Sequence, residues 1–225
     1  MVSKLSTRCK VAAVTTVGSA RTHRGRRSAR PSGDDRELAI LSTAERLLRE
    51  RPLADISVDD LARGAGLSRP TFYFYFPSKD AVLFTLFERV IMEADSALET
   101  MVANPPADLK ALWRIGINVF VETFGAHRAV SLAADAARTN KDVGELWSRF
   151  MEKWVEHTTT VIEAERARGA APVTLPARNL SAALNLLNEK VMLSSFADGR
   201  PSVPDEQLLD TLVHVWVSSV YGKAC

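Results

Sequence analysis

Two groups of residues in this 225-residue chain have the types and spacing to do chemistry. The first is LSRPTFYFYFPSKDAV, Leu67 to Val82, where an unbroken aromatic run, Phe72 to Phe76, follows Arg69, Pro70 and Thr71 and stops at Pro77. A buried strand could carry that run. So could a short helix with aromatics on both its inner and outer faces, and only the helix implies a partner. The second group is Asn185 and Asn188, set in the otherwise apolar ALNLLNEKVML. A buried donor or acceptor without a partner costs about 1–3 kcal/mol, so these amides are hard to hide and could face a dimer partner, an internal water or a ligand.

Catalytic chemistry is poorly represented. His23, His127, His157 and His214 are scattered, and none has metal-ligand spacing with a Cys or a carboxylate pair. GxSxG, a P-loop and a dinucleotide fingerprint are all absent. Glu163 and Glu165 fall on a charge-laced helical segment and read as a solvated face. Neither an enzyme nor a cofactor or metal is expected.

Composition narrows the partner. The first thirty residues carry Lys4, Arg8, Lys10, Arg21, Arg24, Arg26, Arg27 and Arg30 and no acid, so the arm is +8 and, with the whole chain at +2, the rest is −6. A basic arm on a mildly acidic body suits a polyanion. Cys9 and Cys225 sit at opposite ends, which fits a reduced, cytoplasmic protein without a disulfide framework. No apolar run approaches the ~20 residues that span a bilayer, so no membrane partner is expected.

The elements that must position these groups are helical. Residues 1–31 are Ser/Thr/Arg-rich and aperiodic, a disordered basic arm. Leu38, Leu41, Ala44 and Leu48 then mark one helix face ending before Pro52. Ser57, with Asp60 three residues on, starts a second helix whose stripe is Val58, Leu61, Ala62 and Ala65. Gly66 makes the turn, Ser68 caps the next short helix, and Pro70 is tolerated in its first turn because that amide would lack a partner anyway. Ser78 caps a long helix to about Val102. Helical segments follow at about Asp108–Phe124, Ala129–Arg138, Asp142–Arg168, Ala177–Ala197 and Asp205–Tyr221. The chain reads as all-α: a head of three short helices, 32–78, joined by the 78–102 helix to a larger body, 79–225.

This layout resolves the aromatic run. Two short helices joined by AGLS have the length and turn of a helix-turn-helix, with the second helix as reader. At about 100° per residue, Phe72 and Phe76 share a face that can pack beneath Leu61 and Ala65. Arg69, Pro70, Thr71, Tyr73 and Phe74 are then presented outward, with Tyr75 nearer the core edge.

SVDDLARGAGLSRPTFYFYFPSKDAVL resembles the DNA-binding segment of the TetR family of repressors, with Thr71, Phe72, Tyr73, Phe76 and Lys79 in register. The nine-helix layout over residues 34–222 is similar too. Phe-Tyr before the last Phe, together with RPSGDDRELAIL, WRIGINVFVETFG and ALNLLNE, resembles the EthR (ethionamide-response) subgroup of actinobacterial repressors. Members of that subgroup repress a neighbouring flavin monooxygenase gene and carry a long apolar ligand tunnel.

The resemblance implies a double-stranded DNA operator as partner, and residue chemistry agrees. The Ser68, Thr71, Tyr73 and Tyr75 hydroxyls and the helix-start amides beside Pro70 suit phosphate oxygens, which set register. Arg69 could reach guanine O6/N7 and Phe74 a thymine methyl. Lys79 would be a phosphate contact, Ser57 and Val58 would touch backbone on the other groove wall, and Arg26, Arg27 and Arg30 would reach adjacent phosphates or the minor groove. Residues 31–100 hold 8 basic and 13 acidic side chains, and the arm would offset that deficit.

In the body, Trp113, Ile117, Phe120 and Phe124 form one stripe, Trp147, Met151, Trp154 and Thr158 another, with Trp216 on the last helix. Aromatics at helical spacing are normally core. The resemblance tilts the reading toward a tunnel for a small apolar effector, lined by Trp113, Phe120, Phe124, Trp147, Met151, Trp154, Thr158, Asn185, Asn188 and Trp216. Leu180, Ala183, Leu184, Leu187 and Val191, then Leu208, Leu212, Val215 and Val220, put apolar residues on more than one side of the last two helices, which the family uses for a homodimer interface. The expected function is a dimeric repressor released from an inverted-repeat operator when ligand swings the 78–102 helix through Leu83, Leu86, Phe87 and Val90. A ligand-independent architectural DNA binder and a transcriptional activator are the alternatives.

Overall fold

The computed structural model describes residues 32–106 and 108–222. The arm, with Arg26, Arg27 and Arg30, lies outside the described residues. Those described form nine α-helices and one 3-10 turn: α1 (Gly33–Leu48), the turn Leu53–Asp55, α2 (Val58–Gly64), α3 (Arg69–Tyr75), α4 (Lys79–Ala103), α5 (Leu109–Ala126), α6 (Arg128–Ala136), α7 (Lys141–Ala167), α8 (Ala177–Phe196) and α9 (Asp205–Tyr221).

The head helices start where polar side chains take up free amides. Ser32 and Ser57 each form a capping box, with Asp35 and Asp60 at the third helical position. Both aspartates are held below the usual carboxylate range by the hydrogen bonds from their serines. Gly66 takes φ +68 between α2 and α3, a left-handed turn that favours glycine. Gly64 is fixed by contact instead, since a Cβ there would lie 2.3 Å from Thr43 Cγ2, so α1 and α2 meet at nearly backbone distance.

One stripe sits differently from the sequence expectation. Leu38 is half-exposed, while Ile40, Leu41, Ala44 and Leu47 are buried. The buried face of α1 centres on Ile40 and Ala44, which carries Leu38 past its edge. The core itself is continuous from head to body through α4, which packs against α1, α5, α6 and α7. Its buried face includes Leu83, Leu86, Phe87 and Val90. In the body α7 packs on α8, and α9 lies against α5 and α8. No helix among the described residues is long and apolar enough to cross a membrane.

Candidate nucleic-acid interface and ligand cavities

α3 divides its aromatics between two environments. Phe72 is fully buried and Phe76 nearly so, joined by Leu61 beneath them, whereas Phe74 is 83% exposed and Tyr73 46%. Tyr75 is half-buried at the core edge. Ser68, Arg69 and Pro70 are exposed and Thr71 half-buried. The Ser68 hydroxyl accepts from the Thr71 amide at 3.3 Å and meets the Thr71 hydroxyl at 2.8 Å. Ser57 is exposed and Val58 half-buried at the start of α2, and the Ser57 hydroxyl donates to Asp60 at 2.8 Å.

Two cations of the expected interface are engaged within the head. Arg69 lies 3.5 Å from Asp59 and donates to the Tyr73 hydroxyl at 3.3 Å. Both are long contacts on exposed side chains, of the kind worth little in solution, so the guanidinium can leave them for a base edge. Lys79 departs from the expectation of a phosphate contact. Its ammonium donates to the carbonyls of Leu53 at 2.6 Å, Ile56 at 2.9 Å and Ala54 at 3.1 Å. An ammonium has three donors, and all three are used here. Standing at the start of α4, where the helix dipole disfavours a cation, Lys79 is compensated by carbonyl oxygens of the 53–56 turn and clamps that turn to α4.

In the body, two cavities meet at a shared wall. One, of about 30 Å³, is lined by Phe87, Phe124, Trp147, Met151 and Met192 among others, and the second, of about 40 Å³, by Trp113, Trp154, Thr158 and Trp216. Phe120, Asn185 and Asn188 line both. The ten residues assigned to a tunnel from sequence thus all border one cavity or the other. Phe120 stacks on Phe124 with ring centroids 6.1 Å apart and closes the partition.

Both amides are buried and partly satisfied. Trp216 Nε1 donates to Asn188 Oδ1 at 2.8 Å. Asn185 Nδ2 donates to the Ser181 carbonyl at 2.9 Å and approaches the Thr158 hydroxyl at 3.5 Å. The Asn188 amide nitrogen and the Asn185 carbonyl oxygen take no part in these bonds. His157 borders the second cavity, edge-on to Trp154, and burial pushes its pKa down.

Sequence reasoning missed several features. Arg138, at the expected end of its helix, forms an ion pair with Glu189 and lies 4.7 Å from the centre of the Trp147 ring. Trp147 Nε1 donates to Glu189 at 3.3 Å, so an ion pair closes one end of the first cavity. His127 stands 3.2 Å from Glu45 and 3.4 Å from Glu93, tying the α5–α6 corner to α1 and α4. Glu165 corrects a reading outright: it is fully buried, while Glu163 is exposed. Arg168 donates to it at 2.5 and 2.6 Å and Tyr221 at 2.9 Å. The Arg168 hydrogen bond holds its carboxyl below the usual range against the cost of burial.

Comparison with known proteins agrees with both halves. Residues 40–86 match the family described as bacterial regulatory proteins, tetR family, and residues 113–222 match the transcriptional regulator EthR, C-terminal domain. The chain is 65% identical over 202 residues to the HTH-type transcriptional regulator EthR of Mycobacterium tuberculosis, covering 89% of this chain and 94% of that one. It is 52% identical over 210 residues to the EthR of Mycolicibacterium smegmatis, covering 93% and 97%. A TetR-like transcriptional regulator from Rhodococcus sp. RHA1 superposes with a TM-score of 0.67 at 21% identity, covering 86% and 100%.

Proposed function

The chain belongs to the TetR family of bacterial transcriptional regulators, in its EthR-like branch, and from that premise we propose that it is a dimeric repressor released from DNA by a small apolar effector. Residues 32–78 are the DNA-binding domain and 79–225 bind ligand and dimerise, in the cytoplasm. Arg69, Tyr73 and Phe74 face the major groove, the arm reaches neighbouring phosphates, and the regulated gene encodes a neighbouring monooxygenase. The observation that carries the DNA half is the split of α3, with Phe72 buried and Phe74 83% exposed beside Arg69. An aromatic so exposed on a seven-residue helix contributes nothing to the core and is suited to a thymine methyl.

The effector's chemistry follows from the partition. The amide nitrogen of Asn188 and the carbonyl oxygen of Asn185, on residues that line both cavities, complement a carbonyl and an N–H on an otherwise apolar chain. Such a ligand exceeds either cavity, so its entry displaces Phe120 and repacks the wall that Phe87 of α4 shares. A swing of α4 from 1:99 to 99:1 requires about 5.5 kcal/mol of differential affinity. Leu186 and Leu187 are exposed on α8, and a second copy of the chain is their natural cover. Two-fold pairing would bring the reading helices about 34–36 Å apart, on an inverted repeat.

A footprint over the promoter of the adjacent gene tests this reading. A protected inverted repeat that N-methylalkanamides clear is expected. Protection that no ligand relieves would favour the architectural alternative, and activation in a reporter strain would reverse the sign of control.

A further inference from the structure

The end of the second cavity is held by a chain of hydrogen bonds that reaches outside it. Trp113 Nε1 donates to the Tyr221 hydroxyl at 3.2 Å, and that hydroxyl donates to Glu165 Oε2 at 2.9 Å. Arg168 grips both oxygens of the same carboxylate from one turn along. Trp113 and Trp216 pack with ring centroids 5.2 Å apart, and the Trp216 N–H is committed to Asn188. Both indole N–H groups at this end are therefore committed to partners within the protein.

A fully buried carboxylate at the end of a surface helix needs a reason. Desolvating it is costly, and a packed leucine in its place would often be as stable or more so. What a leucine could not do is orient a phenol. Glu165 accepts from the Tyr221 hydroxyl, which leaves the phenolic oxygen's lone pairs to accept from Trp113. Burial pushes the Tyr221 phenol up to about 12, so it keeps its proton and its direction across the neutral range.

We propose that Tyr221 and Glu165 are positioning residues for ligand specificity: by holding the Trp113 indole, they fix where the cavity beside α9 ends and so the longest chain it accepts. This rests on the effector reading above. Without the hydroxyl, the Trp113 N–H loses its partner, the ring is free to turn, and the cavity lengthens toward Tyr221.

The test uses full-length protein and N-methylalkanamides of increasing chain length. With wild type, affinity by calorimetry should rise with each carbon and then break off. In Tyr221→Phe the break should move out by about two carbons, so that the first amide rejected by wild type gains roughly tenfold, the worth of two buried methylenes. Glu165→Leu takes away the phenol's acceptor and should move the break outward as Tyr221→Phe does, whereas Glu165→Gln keeps an acceptor and should leave it in place. In a Trp113→Phe background, Tyr221→Phe should leave the break in place and change affinity for that amide less than about twofold, since residues acting through one another are not additive. A lower melting temperature with the break unmoved overturns the proposal and leaves a purely structural network. A second readout needs no ligand: the chain has four tryptophans, and the indole N–H resonance that disappears in Trp113→Phe should shift in Tyr221→Phe. If it does not shift, the hydrogen bond and the proposal both fall. If it shifts but wild type binds no amide of the series, the effector reading fails and takes this proposal with it.

Discussion

The Trp216 indole on α9 donates to Asn188 Oδ1 on α8 at 2.8 Å, at the wall the two cavities share. That bond fixes the amide's orientation and leaves its N–H₂ toward the partition. Asn188→Ala strands the Trp216 N–H and, under the proposed function, removes a donor from the effector. Binding of an N-methylalkanamide should weaken about tenfold, and unfolding should cost about 1–3 kcal/mol less. Calorimetry and urea unfolding measure the two effects separately.

Phe74 and Phe72, two residues apart on α3, sit in opposite environments, one exposed and one buried. Phe74→Ala should leave the urea midpoint within about 0.5 kcal/mol of wild type while weakening operator binding in a fluorescence anisotropy titration. Phe72→Ala should lose about 3–5 kcal/mol of stability and DNA binding with it. Equal stability losses would mean that Phe74 packs within the protein.

Lys79 distinguishes a clamp from a phosphate contact. Lys79→Met frees three carbonyls of the 53–56 turn, so the head should lose about 1–3 kcal/mol. The salt dependence of operator binding should stay as it is. A phosphate contact would instead reduce the slope of log K against log salt by about 0.9.

The arm is tested by the same titration. Deletion of residues 1–30 should weaken binding and flatten the slope by about 0.9 for each phosphate that the arm neutralises. An unchanged slope would remove Arg26, Arg27 and Arg30 from the interface.

Glu165 predicts the acid limb of stability. Its carboxyl titrates below the ordinary value of 4.5 in the folded protein, so the unfolded chain takes up the proton first as pH falls. Its contribution is therefore complete above 4.5 and is lost as pH drops through the folded pKa. Glu165→Gln should be less stable than wild type at neutral pH, and the gap should close below pH 4.5. A gap that is constant with pH would place the effect in packing rather than charge.

The parts legible in sequence were those written in local periodicity. The two faces of α3 follow from steps of about 100° along five aromatics, whereas the cavity lining came from the family resemblance, because the same helical spacings on α5, α7 and α8 fit plain core packing equally well. What stayed hidden depends on partners far along the chain. Glu165 looks like a surface charge until Tyr221, 56 residues on, closes over it. Lys79 matches a DNA-contact position by register, yet its three acceptors are backbone carbonyls 23–26 residues earlier, which no side-chain pattern announces. His127 meets Glu45 and Glu93 only because the α5–α6 corner docks on α1 and α4. Leu38 misled because four apolar residues fit a stripe whose true centre lay one step aside.

The Phe120 partition has a consequence in time as well as in space. With the room on either side comparable to a water or two, an effector of the proposed size would fit across both cavities only once the stacked ring turns away. Under the proposed function, full occupancy would then wait on the movement of that ring as well as on collision with the protein. Response to a pulse of effector should consequently lag the pulse.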